Sequence, residues 1–320
     1  MNRLLSISNL KMYFYTSLGI VYAVDDVSLE INEKEAVGLI GESGCGKTMT
    51  ALSVVGLLPR PGKIAGGKIE FKGKNLLELT DKEMRSFRGN QISMIFQNPH
   101  AFLNPVMKVG DQIAEILLEH NNLNKKEAKT RSIELLELLD ISSPSKVVDY
   151  YPHQLSGGMC QRVLISIAFA CKPSLLIADE PTSALDATIQ IQVLNTIKEL
   201  IKDFRTSLLL ITHDLGIVAD ICDRVYVMYA GKIVENSDVF TLFENPKHPY
   251  TIGLLKSVTS VTNGEDPLFG IDGVVPILIN PPKGCRFHPR CQNALKVCCE
   301  KEPPTIEIES GHKISCWLYK

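Results

Sequence analysis

With 320 residues, 45% hydrophobic and 22% charged, the chain has material for one large α/β domain plus a smaller appendage, which excludes extensive disorder. A formal net charge of -2 supplies no basic field for a nucleic-acid backbone, and nucleic acid is excluded as a partner on that ground. No window approaches the roughly 18 consecutive apolar residues that span a bilayer, so any membrane role is expected to come through partner subunits. The opening MNRLLSISNL lacks the basic and apolar regions of a secretory signal and reads as a first strand. Strand patterns at 35–41, 175–179, 208–212 and 224–229 then alternate with helical patterns such as 47–58 and 189–202, as in a parallel sheet with crossover helices. Between about 98 and 171 the pattern turns mostly helical, with Ile133, Leu135, Leu136 and Leu139 at helical spacing, and predicts a helical insertion. From about residue 261 the chain is rich in Gly, Pro and Asp before a run of cysteines, which marks a second, small domain over 261–320.

GESGCGKT (41–48) lies between a buried strand and a helix, the context a phosphate-binding P-loop requires. Gly41, Gly44 and Gly46 allow close backbone approach, so successive amides face a β-phosphate and the helix adds its positive end. Ser43, Gly44, Cys45, Gly46, Lys47, Thr48 and Met49 are the expected nucleotide-contacting run. Lys47 neutralises phosphate charge and the Thr48 hydroxyl ligates Mg2+. LLIAD (175–179) is an apolar strand that delivers Asp179 to the magnesium, and Glu180 follows where it orients or deprotonates the attacking water. Kinases and GTPases share both motifs. LSGGM (155–159) opens a helix with an apolar face, and there Ser156, Gly157 and Gly158 offer a hydroxyl, two amides and a helix N-terminus to an anion.

LSGGM resembles the signature of ABC transporter ATPases, and four further elements fall in the order that family requires. Gln97 in MIFQNP resembles the glutamine that reaches magnesium and the attacking water. SALD (183–186), with Ser183 and Asp186, resembles the loop that contacts a partner cassette. His213 in ITHDL resembles the switch histidine at the γ-phosphate. Phe14 resembles the aromatic that stacks on adenine, with Tyr13 the alternative and Tyr22 a third choice. The resemblance covers residues 1–260 and implies an α/β P-loop NTPase core with a helical subdomain, binding ATP and Mg2+, with Glu180, His213 and Gln97 catalytic. It also implies that Ser156 and Gly158 meet the γ-phosphate held by another cassette. Each motif occurs once, so the chain holds half of each composite site.

IFQNPHAFLNPV, YPHQLSGGM, NPKHPYT and PPKGCRFHPRC are similar to the peptide and nickel importer branch of that family. That likeness implies an ATPase at the cytoplasmic face of the cell membrane that drives dipeptide or oligopeptide import. Its partners would be two transmembrane permease subunits, a second ATPase subunit in a heterodimer, and indirectly an extracytoplasmic substrate-binding protein. Nickel is the alternative cargo. A soluble, non-transport ABC ATPase would carry two cassettes or a long coiled-coil insertion, and the chain has neither. Cys160 replaces the basic residue usual after LSGGM, with an expected effect on charge near the composite site.

Of nine cysteines, Cys285, Cys291, Cys298, Cys299 and Cys316 crowd the C-terminal segment. A disulfide scaffold is not expected, and four thiolates from a proline-rich segment suit an iron–sulfur cluster or tetrahedral Zn2+. The absence of CxxC knuckles favours a 4Fe-4S cluster on Cys285, Cys291, Cys298 and Cys316, with His288 an alternative ligand and Cys299 spare. The expected role is a structural staple remote from the nucleotide.

Overall fold

The structure is a computed structural model describing residues 2–183, 185–263 and 270–320, with the side chains of 258–263 left aside. It divides into two compact units, one built on Glu78–Leu209 with Asn32–Glu35, the other on Arg3–Ile31, Ala36–Leu77 and Leu210–Lys320.

In the first unit the strands Ile92–Ile95 and Leu175–Asp179 run parallel with Ile95 opposite Ala178. Every residue of Leu175–Asp179 is buried, as a parallel strand covered on both faces requires. The predicted helical insertion consists of Pro99–Phe102, Val109–His120, Lys125–Leu138, Pro144–Val147 and Gly157–Phe169. It has its own core, in which Ile113, Leu117, Leu135, Leu136 and Val163 are at most 2% exposed. Burying each such side chain contributes about 1.5–3 kcal/mol. Helix Lys125–Leu138 starts where it does because Asn124 Oδ1 accepts from the N–H groups of Lys126 and Glu127 at 3.0 Å each. Glu127 Oε2 returns the contact by accepting from Asn124 N–H at 2.8 Å.

In the second unit a four-stranded sheet orders Gly19–Asn32, Arg3–Thr16, Gly62–Phe71 and Lys74–Asn75, confirming a strand at the start of the chain. A second sheet sets Ala36–Ile40 parallel to Arg224–Tyr229, with Ile40 opposite Val227. Arg224–Tyr229 pairs antiparallel with Lys232–Asp238, and the C-terminal strands His312–Ile314 and Ile306–Glu309 extend that edge. The C-terminal segment therefore completes a sheet begun by the nucleotide-loop strand. Helix Lys47–Val55 is shorter than the 47–58 pattern because Gly56 stops it at φ 65°, in the left-handed region where glycine is favoured.

Candidate functional site

The loop after Ala36–Ile40 has the geometry its motif predicts. At Gly41 (φ 149°) an added Cβ would lie 2.0 Å from Met228 O, and at Gly46 (φ 109°) 2.2 Å from Ala23 O. Backbone against backbone leaves no room at either position, so both glycines are obligatory. Gly46 also heads helix Lys47–Val55 without any side-chain cap, which leaves the first-turn amides for an anion. Lys47 is buried, its Nζ donating to Gly41 O at 2.6 Å and Glu42 O at 3.1 Å, which holds the ammonium inside the loop. Ser43, Gly44 and Thr48 are exposed and Met49 is half-buried. Cys45 is buried with Sγ 3.8 Å from Lys47 Nζ, and burial pushes its thiol pKa up, so it offers a ligand only its backbone.

Glu180 and Gln97 meet for a reason visible in strand register. Ile95 lies opposite Ala178 on parallel strands, so the chain leaves both strands on the same side of the sheet, and Gln97 Nε2 donates to Glu180 Oε2 at 2.8 Å. Glu180 sits at φ 45°, a left-handed conformation that costs a non-glycine residue on the order of 1–3 kcal/mol and is typical of functional positions. Asp179, at the strand end before it, is buried. Ser183 Oγ donates to Glu180 O at 3.2 Å, and Asp186 caps helix Ala187–Phe204 by accepting from Ile189 N–H at 3.1 Å. Ala184 lies outside the described residues.

Ser156 caps Gly157–Phe169, its Oγ accepting from Met159 N–H at 3.3 Å, and remains exposed. An added Cβ at Gly158 would lie 2.9 Å from Ile189 Cγ2, so the helix start is tightly approached. Cys160 is fully buried in the helical core with Sγ donating to Pro152 O at 3.5 Å, so where a basic residue is usual a neutral thiol packs inward. In the second unit His213 is exposed just beyond the strand Ser207–Ile211, before Asp214 caps the next helix. Phe14 is half-buried opposite Gly62. Tyr13 faces the other way, its hydroxyl donating to Asp25 Oδ1 at 2.7 Å and its ring edge-on to Tyr22 at 4.8 Å.

All nine cysteines are free thiols. Cys298 and Cys316 are buried, Cys285 and Cys291 half-buried, and Cys299 exposed. Burial first, then negative charge on Cys298, Cys316 and Cys291, pushes the Cys285 thiol up to about 11. Burial and charge on neighbouring members of the four likewise raise Cys291 and Cys316. The four sulfurs thus share one neighbourhood, and Cys285 N–H donates to Cys298 O at 2.9 Å. The expected metal centre is not assembled in this arrangement of the side chains. Among the described residues no group of three or more His, Cys, Asp or Glu side chains is arranged to hold a metal ion. His288 Nδ1 is bonded to Cys285 O at 2.9 Å, which commits that ring nitrogen to the backbone.

The cysteine segment, expected to be remote from the nucleotide, touches the nucleotide loop through Arg290. Arg290, beside Cys291, donates from Nη1 and Nη2 to the two carboxylate oxygens of Glu42 in the nucleotide loop at 2.7 and 3.1 Å. Glu42 N–H donates to Tyr250 Oη at 2.8 Å. Arg286, beside Cys285, donates to Ala230 O at 2.5 Å and forms a close ion pair with Asp25. Sequence reasoning missed Tyr250, Arg286 and Arg290. The strings NPKHPYT and PPKGCRFHPRC that contain them were the available signal, informative of kinship but silent about contacts.

Residues 24–183 match the family described as ABC transporter, and residues 234–298 match the oligopeptide/dipeptide transporter C-terminal region. The chain is 49% identical over 321 residues to the oligopeptide transport ATP-binding protein AppD of Bacillus subtilis (strain 168), covering 100% of this chain and 98% of that protein. It is 47% identical over 319 residues to the dipeptide transport ATP-binding protein DppD of the same organism, covering 99% and 95%. A solved relative, the ATP-binding cassette MJ0796 in a dimeric post-hydrolysis state bound to ADP and Pi, matches with TM-score 0.67 at 25% identity. That alignment covers 74% of this chain and 99% of that one.

Proposed function

Because the chain belongs to the ABC transporter ATPases, in the branch of oligopeptide and dipeptide transport ATP-binding proteins, we propose that it powers peptide import by the following division of labour. It is the ATP-binding and hydrolysing subunit. The loop 41–48 holds the phosphates, with Lys47 against the β- and γ-phosphates and Thr48 and Gln97 on Mg2+ beside Asp179. Glu180 orients and deprotonates the attacking water, Gln97 steadies Glu180, and His213 reads the γ-phosphate. Phe14 stacks on adenine. Ser156 and Gly158 present a helix N-terminus to the γ-phosphate held by a second ATPase subunit, and Ser183 and Asp186 contact that subunit. The hydrogen bond from Gln97 to Glu180 at 2.8 Å carries the catalytic assignment, since it joins the proposed water-activating carboxylate to the entrance of the helical insertion.

In this reading residues 1–260 are the cassette and 261–320 an importer-specific extension. No helix among the described residues is long and apolar enough to cross a membrane. Kinship with transport ATP-binding proteins supports assigning the chain to the cytoplasmic face, held there by two permease subunits, with cargo delivered by an extracytoplasmic binding protein. Cys285, Cys291, Cys298 and Cys316 are assigned to a metal centre, a 4Fe-4S cluster in preference to Zn2+ on their spacing. The donor set fits in its chemistry, with four neighbouring free thiols, three of which have pKa values raised partly by one another's charge, a repulsion that a bound cation relieves. Such a group would supply a covalent cross-link to a segment with little apolar mass of its own. Purification of the complex from membranes tests the transport assignment. Two permeases should accompany the chain, with ATP hydrolysis stimulated by a peptide-loaded binding protein. Hydrolysis stimulated by nickel-loaded binding protein alone would assign the cargo to nickel.

A further inference from the structure

A P-loop needs glycines, a lysine and a hydroxyl residue, and leaves its second position open. Here that position is Glu42, which puts a carboxylate on the rim of a site for a highly charged anion. A like charge beside such an anion opposes its binding. The structure answers this charge with a residue from the far end of the chain. Arg290 is 6% exposed at its side chain and Glu42 28%, and the fork of two bonds at 2.7 and 3.1 Å is bidentate. Isolated surface ion pairs contribute little, but a sheltered bidentate pair fixes both position and charge.

The remaining donors of Arg290 are also taken. Nε donates to Asp272 O at 2.8 Å, Nη2 to Ile271 O at 3.1 Å, and Nη1 approaches Tyr229 Oη at 3.4 Å. A guanidinium has five N–H groups, so none is left for a phosphate. Arg290 therefore acts on the nucleotide only through Glu42. Tyr250 Oη, accepting from Glu42 N–H at 2.8 Å, holds the same residue by its backbone.

We propose that Arg290 is a positioning residue of the ATP site, through which the C-terminal extension sets nucleotide affinity by neutralising Glu42 and fixing the loop around it. This rests on reading 41–48 as the ATP loop, and the controls separate the two claims. The test is equilibrium binding of a fluorescent ATP analogue, with steady-state ATPase, on full-length protein in its transporter complex. Arg290→Ala is expected to weaken ATP binding about tenfold, or about 1.4 kcal/mol, and to raise KM by a larger factor than it lowers kcat. Arg290→Lys should recover part of the loss. In the Glu42→Gln background the Arg290→Ala change should have little further effect, because the charge it leaves uncovered is gone. Unaltered affinity in Arg290→Ala would overturn the proposal. So would a full loss persisting in the double variant, which would indicate that Arg290 merely holds the fold. If instead wild type binds no ATP, or Lys47→Ala binds it as wild type does, the reading of the loop itself falls.

Discussion

His248, two residues before the tyrosine that holds Glu42, gives the protein a definite acid sensitivity. It is 1% exposed, and burial pushes its pKa from 6.5 down to about 3. Its Nδ1 accepts from Tyr250 N–H at 3.1 Å, so the proton of the neutral ring sits on Nε2, which is buried without a hydrogen-bond partner. The unfolded chain, with the ordinary value, binds more protons than the native one between those two pKa values. The stabilisation from keeping this ring neutral is therefore complete above about 6.5 and is lost as pH falls towards about 3. For one group with these two pKa values the loss between about pH 7.5 and pH 5 is about 2 kcal/mol, a large part of a net stability of roughly 5–15 kcal/mol. His248→Asn keeps an acceptor for Tyr250 N–H and removes the titration. Urea unfolding followed by the fluorescence of Trp317, in the same compact unit, should show wild type losing about 2 kcal/mol more than the variant over that interval. Equal losses in both proteins would refute the reasoning.

Glu180→Gln should lower ATP turnover by about 10²–10⁴ while the complex retains bound ATP in a filter assay, and normal turnover would remove Glu180 from its role. Lys47→Ala should abolish binding of the ATP analogue itself, since two loop carbonyls now hold the ammonium that the phosphates require. Gly46→Ala forces a Cβ to 2.2 Å from Ala23 O at a φ of 109°, and should lose ATP binding and thermal stability together. Cys285→Ser should eliminate stoichiometric metal from anaerobically purified protein by elemental analysis. Unchanged metal would show that Cys285 is not a ligand, and zinc without iron in wild type would end the cluster assignment.

What the sequence made legible was governed by local rules. Apolar runs marked the strands Ala36–Ile40 and Leu175–Asp179, and helical spacing located the insertion, because burial on two faces or one stripe writes a period into a short stretch. The nucleotide loop was legible because its backbone geometry admits few residues, as the contacts around Gly41 and Gly46 demonstrate. The partnership of Gln97 and Glu180 is intermediate. It is made possible by the parallel pairing that ends with Ile95 opposite Ala178, a register that residue types do not state. The burial of Cys160 was not legible, because a position near a signature motif says nothing about which way its side chain turns, and here it turns into the core.

The pairing of Glu42 with Arg290 lies beyond all of these rules, since the two are 248 residues apart and neither has a local pattern that requires the other. Its position changes the meaning of the cysteine segment. Arg286 follows Cys285 directly and Arg290 precedes Cys291, and both arginines are anchored on the nucleotide-loop unit, through Ala230 O and Asp25 and through Glu42. A staple remote from the nucleotide would leave the ATP site indifferent to the state of its cysteines. With these two arginines adjoining the proposed ligands, the backbone that positions Cys285 and Cys291 also positions the groups that hold Asp25 and Glu42. Loosening this segment would release a carboxylate at the rim of the phosphate cradle, so the order of the C-terminal extension and the affinity for ATP are physically one variable.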